Sequence, residues 1–205
     1  MSYNNTILNK RLMKAAEKEV YMVPDNIVFV GDSITEFYDL KKFYDDTTYM
    51  VNSGIGATTA ETYRGLLKEK VYCYNPSKVF ILIGTNDIQH GETPDEIVSY
   101  IKEMVDGIKK IRPHAKIYVE SILPTNKTDN EKINQNRVGL RTNDTIKTVN
   151  EKIKTLCAEE KITYIDMFSQ MIDEQGQMNI NYTREGLHLT EEGYKKVTEI
   201  LKEYI

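Results

Sequence analysis

The chain alternates short apolar runs with segments of helical period. Ile27-Val28-Phe29-Val30 is apolar and ends at Gly31, and Tyr49-Met50-Val51-Asn52 is a second, weaker run. Val79-Phe80-Ile81-Leu82-Ile83 ends at Gly84, Ile117-Tyr118-Val119-Glu120-Ser121-Ile122 follows, and Ile162-Thr163-Tyr164-Ile165 is the last. Near-continuous apolar runs suit the strands of a parallel sheet covered by helices on both faces. Between them the period changes. Thr93 precedes Pro94, Asp95 and Glu96, a capped helix start, after which Ile97, Ile101, Met104, Val105 and Ile108 fall on one face. Ile146, Val149, Ile153 and Leu156 predict a second long helix, and Thr190-Glu191-Glu192 opens a third carrying Tyr194, Val197, Ile200 and Leu201. Thr58-Thr59-Ala60-Glu61 opens a shorter one with Leu66 and Leu67.

Five strands alternating with helices predict one doubly wound α/β domain over residues 1–205, with no internal repeat and no linker. All strand C-termini then lie at one edge, where ligands bind at the point of strand-order reversal. The polar stretch from Pro124 to Thr142 is long for a connection, so it is expected to be either a functional loop or a mobile one.

Composition narrows the functional classes. The 205 residues carry 27 basic and 31 acidic side chains, a net charge of −4, with 40% hydrophobic residues. A mildly acidic chain lacks the clustered positive charge that nucleic acid or an anionic membrane requires, so neither is expected as a partner. No apolar run is long enough to span a bilayer, and Met1 to Thr6 lacks the pattern of a signal peptide. The two cysteines, Cys73 and Cys157, have no metal spacing and could form at most one bridge, which predicts a reduced, cytoplasmic setting. No dinucleotide-binding glycine fingerprint or P-loop is present.

Only polar residues placed just after strands can share a site. These are Gly31-Asp32-Ser33-Ile34-Thr35, Asn52-Ser53-Gly54-Ile55-Gly56-Ala57-Thr58, Gly84-Thr85-Asn86-Asp87 and, further on, Glu185-Gly186-Leu187-His188. Ser33, at a strand-to-helix turn, is a candidate nucleophile, needing a base to accept its proton. The backbone N–H groups of Ser33 and of Gly56-Ala57, with the Asn86 amide, are candidate donors to a developing oxyanion. Of the three histidines, His114 precedes a strand and belongs at the opposite edge. His90 and His188 are both on the correct side, and His188 has Glu185 three residues earlier to orient its ring. Asp32 is expected to shape the turn rather than react. Gln89, His90 and Tyr182 are placed by proximity on the acyl or leaving-group side.

These stretches together resemble the SGNH hydrolases, also called the GDSL-like lipase/acylhydrolase family. Gly31-Asp32-Ser33-Ile34-Thr35 is similar to the first block, Asn52 to Thr59 to the second, Gly84-Thr85-Asn86-Asp87 to the third and Tyr182 to Thr190 to the last. The resemblance runs from about Ile27 to Tyr194. It implies a flavodoxin-like three-layer α/β/α sandwich with a five-stranded parallel sheet, and hydrolysis of ester-linked acyl groups without metal or cofactor. It also implies Ser33 as nucleophile, His188 as base and Asn86 as oxyanion donor. Two positions depart from the family pattern. Glu185 stands where Asp is usual, which lengthens the carboxylate arm by one methylene, and Ala57 aligns with the family's oxyanion glycine, with Gly56 just before it. The fold is expected to use nearly all 205 residues and to leave no room for a large cap, so a shallow site cleaving short-chain, acetyl-type esters is expected, with O-acetylated carbohydrate among the candidates.

Other readings of the same architecture are a scaffold with impaired catalysis and a flavodoxin-like binding or signalling domain. Asp32 and Asp87 would fit a phosphate-accepting receiver, but Asp166 stands after the fifth strand where a lysine would be wanted. Asp32 and Glu36 would repel a flavin phosphate.

Overall fold

A computed structural model describes residues 26–205. Met1 to Thr6, read above for a targeting signal, lies outside the described residues. Strands β1 (Asn26–Gly31), β2 (Met50–Gly54), β3 (Pro76–Leu82), β4 (Lys116–Glu120) and β5 (Thr163–Ile165) form a five-stranded sheet in the order β2-β1-β3-β4-β5, every pair parallel. The strand order reverses between β1 and β3, so the crevice beyond their C-terminal ends is where such a sheet takes a ligand. β3 begins three residues before the apolar run predicts, because Pro76 and Lys78 pair with Asn26 and Ile27 at a register shift.

The helices are α1 (Ser33–Glu36), α2 (Ala60–Tyr63), α3 (Thr85–His90), α4 (Pro94–Ile111), α5 (Asn143–Glu160) and α6 (Glu191–Leu201), with further single turns between them. α4 starts at a complete capping box, Thr93 and Glu96 each bonding the other's backbone N–H. Alternate strand residues feed two apolar layers. Val28, Val79, Ile81, Ile117 and Val119 pack with α4 and α5. Phe29, Phe80, Leu82 and Tyr118 pack with α1 and α6 on the other face. There the rings of Phe29, Phe80 and Tyr118 stack across neighbouring strands, 5.1 and 4.6 Å apart. This is the α/β/α sandwich the sequence pattern predicts. Among the described residues, no helix is long and apolar enough to cross a membrane.

Gly31 closes β1 where side chains do not fit. A Cβ there would lie 2.1 Å from Thr35 Oγ1 and 2.4 Å from the Leu82 carbonyl, so only glycine lets the chain turn at once into α1. Both cysteines are free. Cys157 is buried in α5, and burial pushes its thiol up to about 12. Cys73 is exposed just before β3, at the sheet edge opposite Ser33.

Glu120 ends β4 with 3% exposure, and burial pushes its carboxyl up to about 8. The folded state therefore holds a proton that the unfolded chain gives up near the ordinary glutamate value of 4.5. Between these two pH values stability falls as pH rises, by up to about 1.4 kcal/mol per pH unit for each proton by which the states differ. Glu120→Gln removes this component. Urea unfolding at mildly acidic, neutral and alkaline pH should show the variant gaining on the parent as pH rises to about 8, then holding a constant lead. A difference that does not change with pH would mean that Glu120 is ionised in the native protein.

Candidate active site

The nucleophile candidate is set by the turn that follows β1. Asp32 caps α1, its Oδ1 accepting the Ile34 N–H at 2.9 Å, and is only 1% exposed. Burial pushes its carboxyl up to about 7, against the pull of the Ile34 N–H and the Arg141 charge. Asp32 thus holds the turn from beneath, as expected, while Ser33 faces a cleft of about 800 Å³.

His188 arrives from the segment before α6. Its Nε2 lies 3.0 Å from Ser33 Oγ, and its Nδ1 meets Glu185 Oε1 in a short contact. The same carboxylate oxygen accepts the His188 backbone N–H at 3.3 Å. The extra methylene of Glu185 is therefore accommodated by the loop. Gly186, at φ 105°, turns the chain between the two residues, and a Cβ there would lie 2.5 Å from the Asn126 carbonyl. Phe37 covers the His188 ring at a centroid distance of 5.6 Å.

The donor candidates face the same cleft. Among the described residues, nothing accepts a hydrogen bond from the Ser33, Gly56 or Ala57 backbone N–H. Ala57 takes φ 60°, a left-handed conformation that costs a Cβ-bearing residue about 1–2 kcal/mol. Gly56 does not share that conformation; its constraint is steric, since a Cβ would approach Glu36 Oε2 to 2.7 Å. Asp87, fully buried, anchors the start of α2 by accepting the Ala60 N–H at 2.9 and 3.0 Å. Burial raises its carboxyl above the usual range despite those N–H donors. Asp32 and Asp87 are thus committed to backbone groups, which leaves neither placed as an accessible phosphate acceptor.

Asn86 is clamped from both ends. Its Nδ2 donates to the Thr58 carbonyl at 2.9 Å, and its Oδ1 accepts from Arg141 Nη2 at 2.7 Å. With the oxygen so engaged, the second amide N–H is left for the cleft. Arg141 is 4% exposed and also binds the Thr85 carbonyl at 2.9 Å and Gln89 Oε1 at 3.1 Å.

The fold thus gathers Ser33, Gly56, Ala57, Asn86, Glu185 and His188 around one cleft, with Asp32 beneath it. The model of the GDSL-like Lipase/Acylhydrolase family matches residues 29–196. The chain belongs to that family.

It is accordingly a carboxylic ester hydrolase, of a family that acts on small ester substrates. The acylhydrolase is 26% identical over 202 residues to human platelet-activating factor acetylhydrolase IB subunit alpha2, covering 96% of this chain and 81% of that protein. It is 28% identical over 184 residues to N-acylneuraminate cytidylyltransferase of Escherichia coli, covering 86% of this chain but 40% of the relative's length. A solved structure from Streptococcus pneumonia, provisionally described as a platelet activating factor, superposes with a TM-score of 0.79 at 29% identity, covering 100% of this chain and 99% of that one.

Three positions expected near the cleft separate. Gln89 lines it, whereas His90 is exposed at the end of α3 and is not part of the lining. Tyr182 does not reach the cleft; it is half-buried against the layer that contains Tyr194, and its carbonyl accepts the Thr190 N–H. The alternation of its neighbours explains this, since Thr183 and Leu189 are joined by an antiparallel bridge that directs Tyr182 inward. His114 lies at the far edge, with Pro76 and Ala115. Among the described residues, no group of three or more His, Cys, Asp or Glu side chains could hold a metal ion. The sequence reading missed Arg141. Its only signal was a cation inside the long polar stretch, which the structure ties down: Asn126 N–H donates to the Gly186 carbonyl and Asn134 N–H to that of Glu185, each at 2.9 Å.

Proposed function

We propose that the acylhydrolase is a serine esterase for short, acetyl-type esters, with Ser33 as nucleophile, His188 as base and Glu185 orienting the ring. The observation that carries this reading is the unbroken polar line from Ser33 Oγ through His188 to Glu185, beside N–H groups with no partner among the described residues. Ser33 Oγ attacks the acyl carbon as His188 Nε2 takes its proton. The carbonyl oxygen becomes an oxyanion facing the N–H groups of Ser33 and Ala57 and the Asn86 amide, donors worth about 3 kcal/mol each to the barrier. The C–O bond to the alcohol breaks, and its oxygen leaves with the proton from His188. Water repeats the sequence to free the acid and restore Ser33. To the oxyanion Ala57 contributes only its backbone N–H, so the alanine at the family's glycine position leaves this role available, and Gly56 serves to admit Glu36 behind the loop.

The preference for short acyl groups is supported by the cleft's lining. Phe37 and Leu187 are the only large apolar side chains among its lining residues. A long acyl chain gains about 0.8 kcal/mol per buried CH₂ only where apolar surface receives it.

The test is a fluorophosphonate probe with an aryl acetate. Ser33 should be labelled and the acetate turned over, while the matching long-chain ester is a poor substrate. In Glu185→Gln the amide can still touch the ring but cannot stabilise imidazolium, so kcat should fall by several orders of magnitude, roughly ten-thousand-fold if it acts as the triad acid. A variant retaining most of its activity would show that Glu185 does not orient His188. Unlabelled Ser33 with no turnover would favour the impaired scaffold.

A further inference from the structure

The cleft is positive although the chain is acidic. Its charged lining residues are Arg137, Arg141, Arg184 and Glu185, against a net charge of −4 for the whole chain. Glu185 is engaged with His188, and Arg141 is consumed by Asn86, Thr85 and Gln89. Arg137 and Arg184 remain. Neither guanidinium has an ion-pair or hydrogen-bond partner among the described residues. The other described arginines are all engaged: Arg64 pairs with Glu103, Arg112 binds the Tyr72 carbonyl, and Arg141 is clamped as above. The two uncommitted ones both face the catalytic cleft.

Their backbones, by contrast, are fixed. Arg184 N–H donates to the His188 carbonyl at 2.8 Å, and Arg137 N–H to the Asn134 carbonyl at 2.9 Å. The Asn134 N–H is in turn bound to the Glu185 carbonyl, so both arginines belong to the wall that carries His188. His188 is the group that hands a proton to the departing alcohol, so this is the wall the alcohol half of the ester leaves along. A guanidinium offers a planar fork of donors that fits two oxygens of one anionic group, and two such forks carried by one anchored stretch of backbone favour an oxyanion over a neutral hydroxyl.

We propose that Arg137 and Arg184 form an anion-recognition subsite, and that the preferred esters carry a carboxylate or phosphate on the alcohol being released. The proposal rests on the serine-esterase reading and adds the class of alcohol to it. The anion is held in both the ground and transition states, so its benefit appears chiefly in KM. It also weakens with salt, because both side chains are exposed.

The experiment compares three acetates: para-acetoxybenzoate, its neutral methyl ester and para-acetoxyphenyl phosphate. The quantity read is the ratio of kcat/KM for each anionic ester to that for the neutral one. In Arg137→Gln/Arg184→Gln this ratio should fall about tenfold or more, with most of the change in KM. Raising sodium chloride from about 0.05 to about 0.5 M should lower it in the parent and hardly in the variant. The ester whose ratio falls further identifies carboxylate or phosphate as the recognised group. Arg137→Lys/Arg184→Lys keeps the charge without the fork and should recover only part of the loss. Thermal unfolding of each variant separates lost recognition from lost fold. Equal ratios in parent and double variant, with the neutral ester still hydrolysed, overturn the subsite and leave the esterase standing. Failure of the parent to hydrolyse any of the three, with Ser33 unlabelled, overturns both.

Discussion

Ser33→Ala is expected to bring aryl acetate hydrolysis down to background, a loss on the order of a million-fold in kcat if the serine, histidine and glutamate act as one unit. The 3.0 Å contact between Ser33 Oγ and His188 Nε2 makes the same prediction for His188→Ala, since without a base the hydroxyl keeps its proton. The double variant then loses no more than either single one, because each removes the same step. Steady-state hydrolysis at saturating substrate measures all three, and fluorophosphonate labelling provides a second readout that does not depend on deacylation. A Ser33→Ala protein with more than about one-hundredth of parental kcat would place the nucleophile elsewhere.

The second large effect is expected at Asn86. Asn86→Ala should lower kcat by about 10²–10³ with a smaller change in KM, because the amide donates to charge that exists only as the oxyanion forms. Asn86→Asp separates this role from a structural one. The carboxylate has the same shape and still accepts from Arg141, so that end of the clamp survives, while the end held by the Thr58 carbonyl is lost because no N–H remains to give to Thr58 or to the cleft. Loss of kcat in Asn86→Asp, measured well below the variant's own unfolding temperature, is the predicted pattern, with some loss of thermal stability from the broken Thr58 contact; full activity would remove Asn86 from the oxyanion site. Arg141→Leu should act through the same amide. Its effect on kcat should shrink when Asn86 is already alanine, a non-additivity that a double-mutant cycle reads directly.

The parts of this molecule legible in the sequence are those fixed by short-range periodicity. The five apolar runs become the five strands, and the 3–4-residue spacings become α4, α5 and α6, because each element buries one stripe or both faces of a regular repeat. The topology then assigned residues to edges: Ser33, Asn86 and His188 follow strands and share the cleft, while His114 precedes one and does not. What could not be read are contacts made across the sheet by irregular chain. Arg141 lies 55 residues from Asn86 and has no motif around it, so its role exists only once the 124–142 segment has folded back over α3. Tyr182 was misplaced for a related reason, since proximity to His188 in sequence does not fix which side of an irregular segment faces the cleft. That Glu185 reaches the imidazole depended on the path of Gly186, and a left-handed Ala57 was equally hidden, because alanine does not advertise a positive φ.

The placement of the thiols has a practical outcome. The full sequence contains no cysteine beyond Cys73 and Cys157, and the second is both enclosed and held in its unreactive protonated form well above neutral pH. Maleimides and related reagents should therefore attach at one point, Cys73, on the end of the sheet remote from Ser33. The unaltered protein can be tethered to a bead or fitted with a fluorophore through that single handle, and the mouth of its cleft will point away from the attachment.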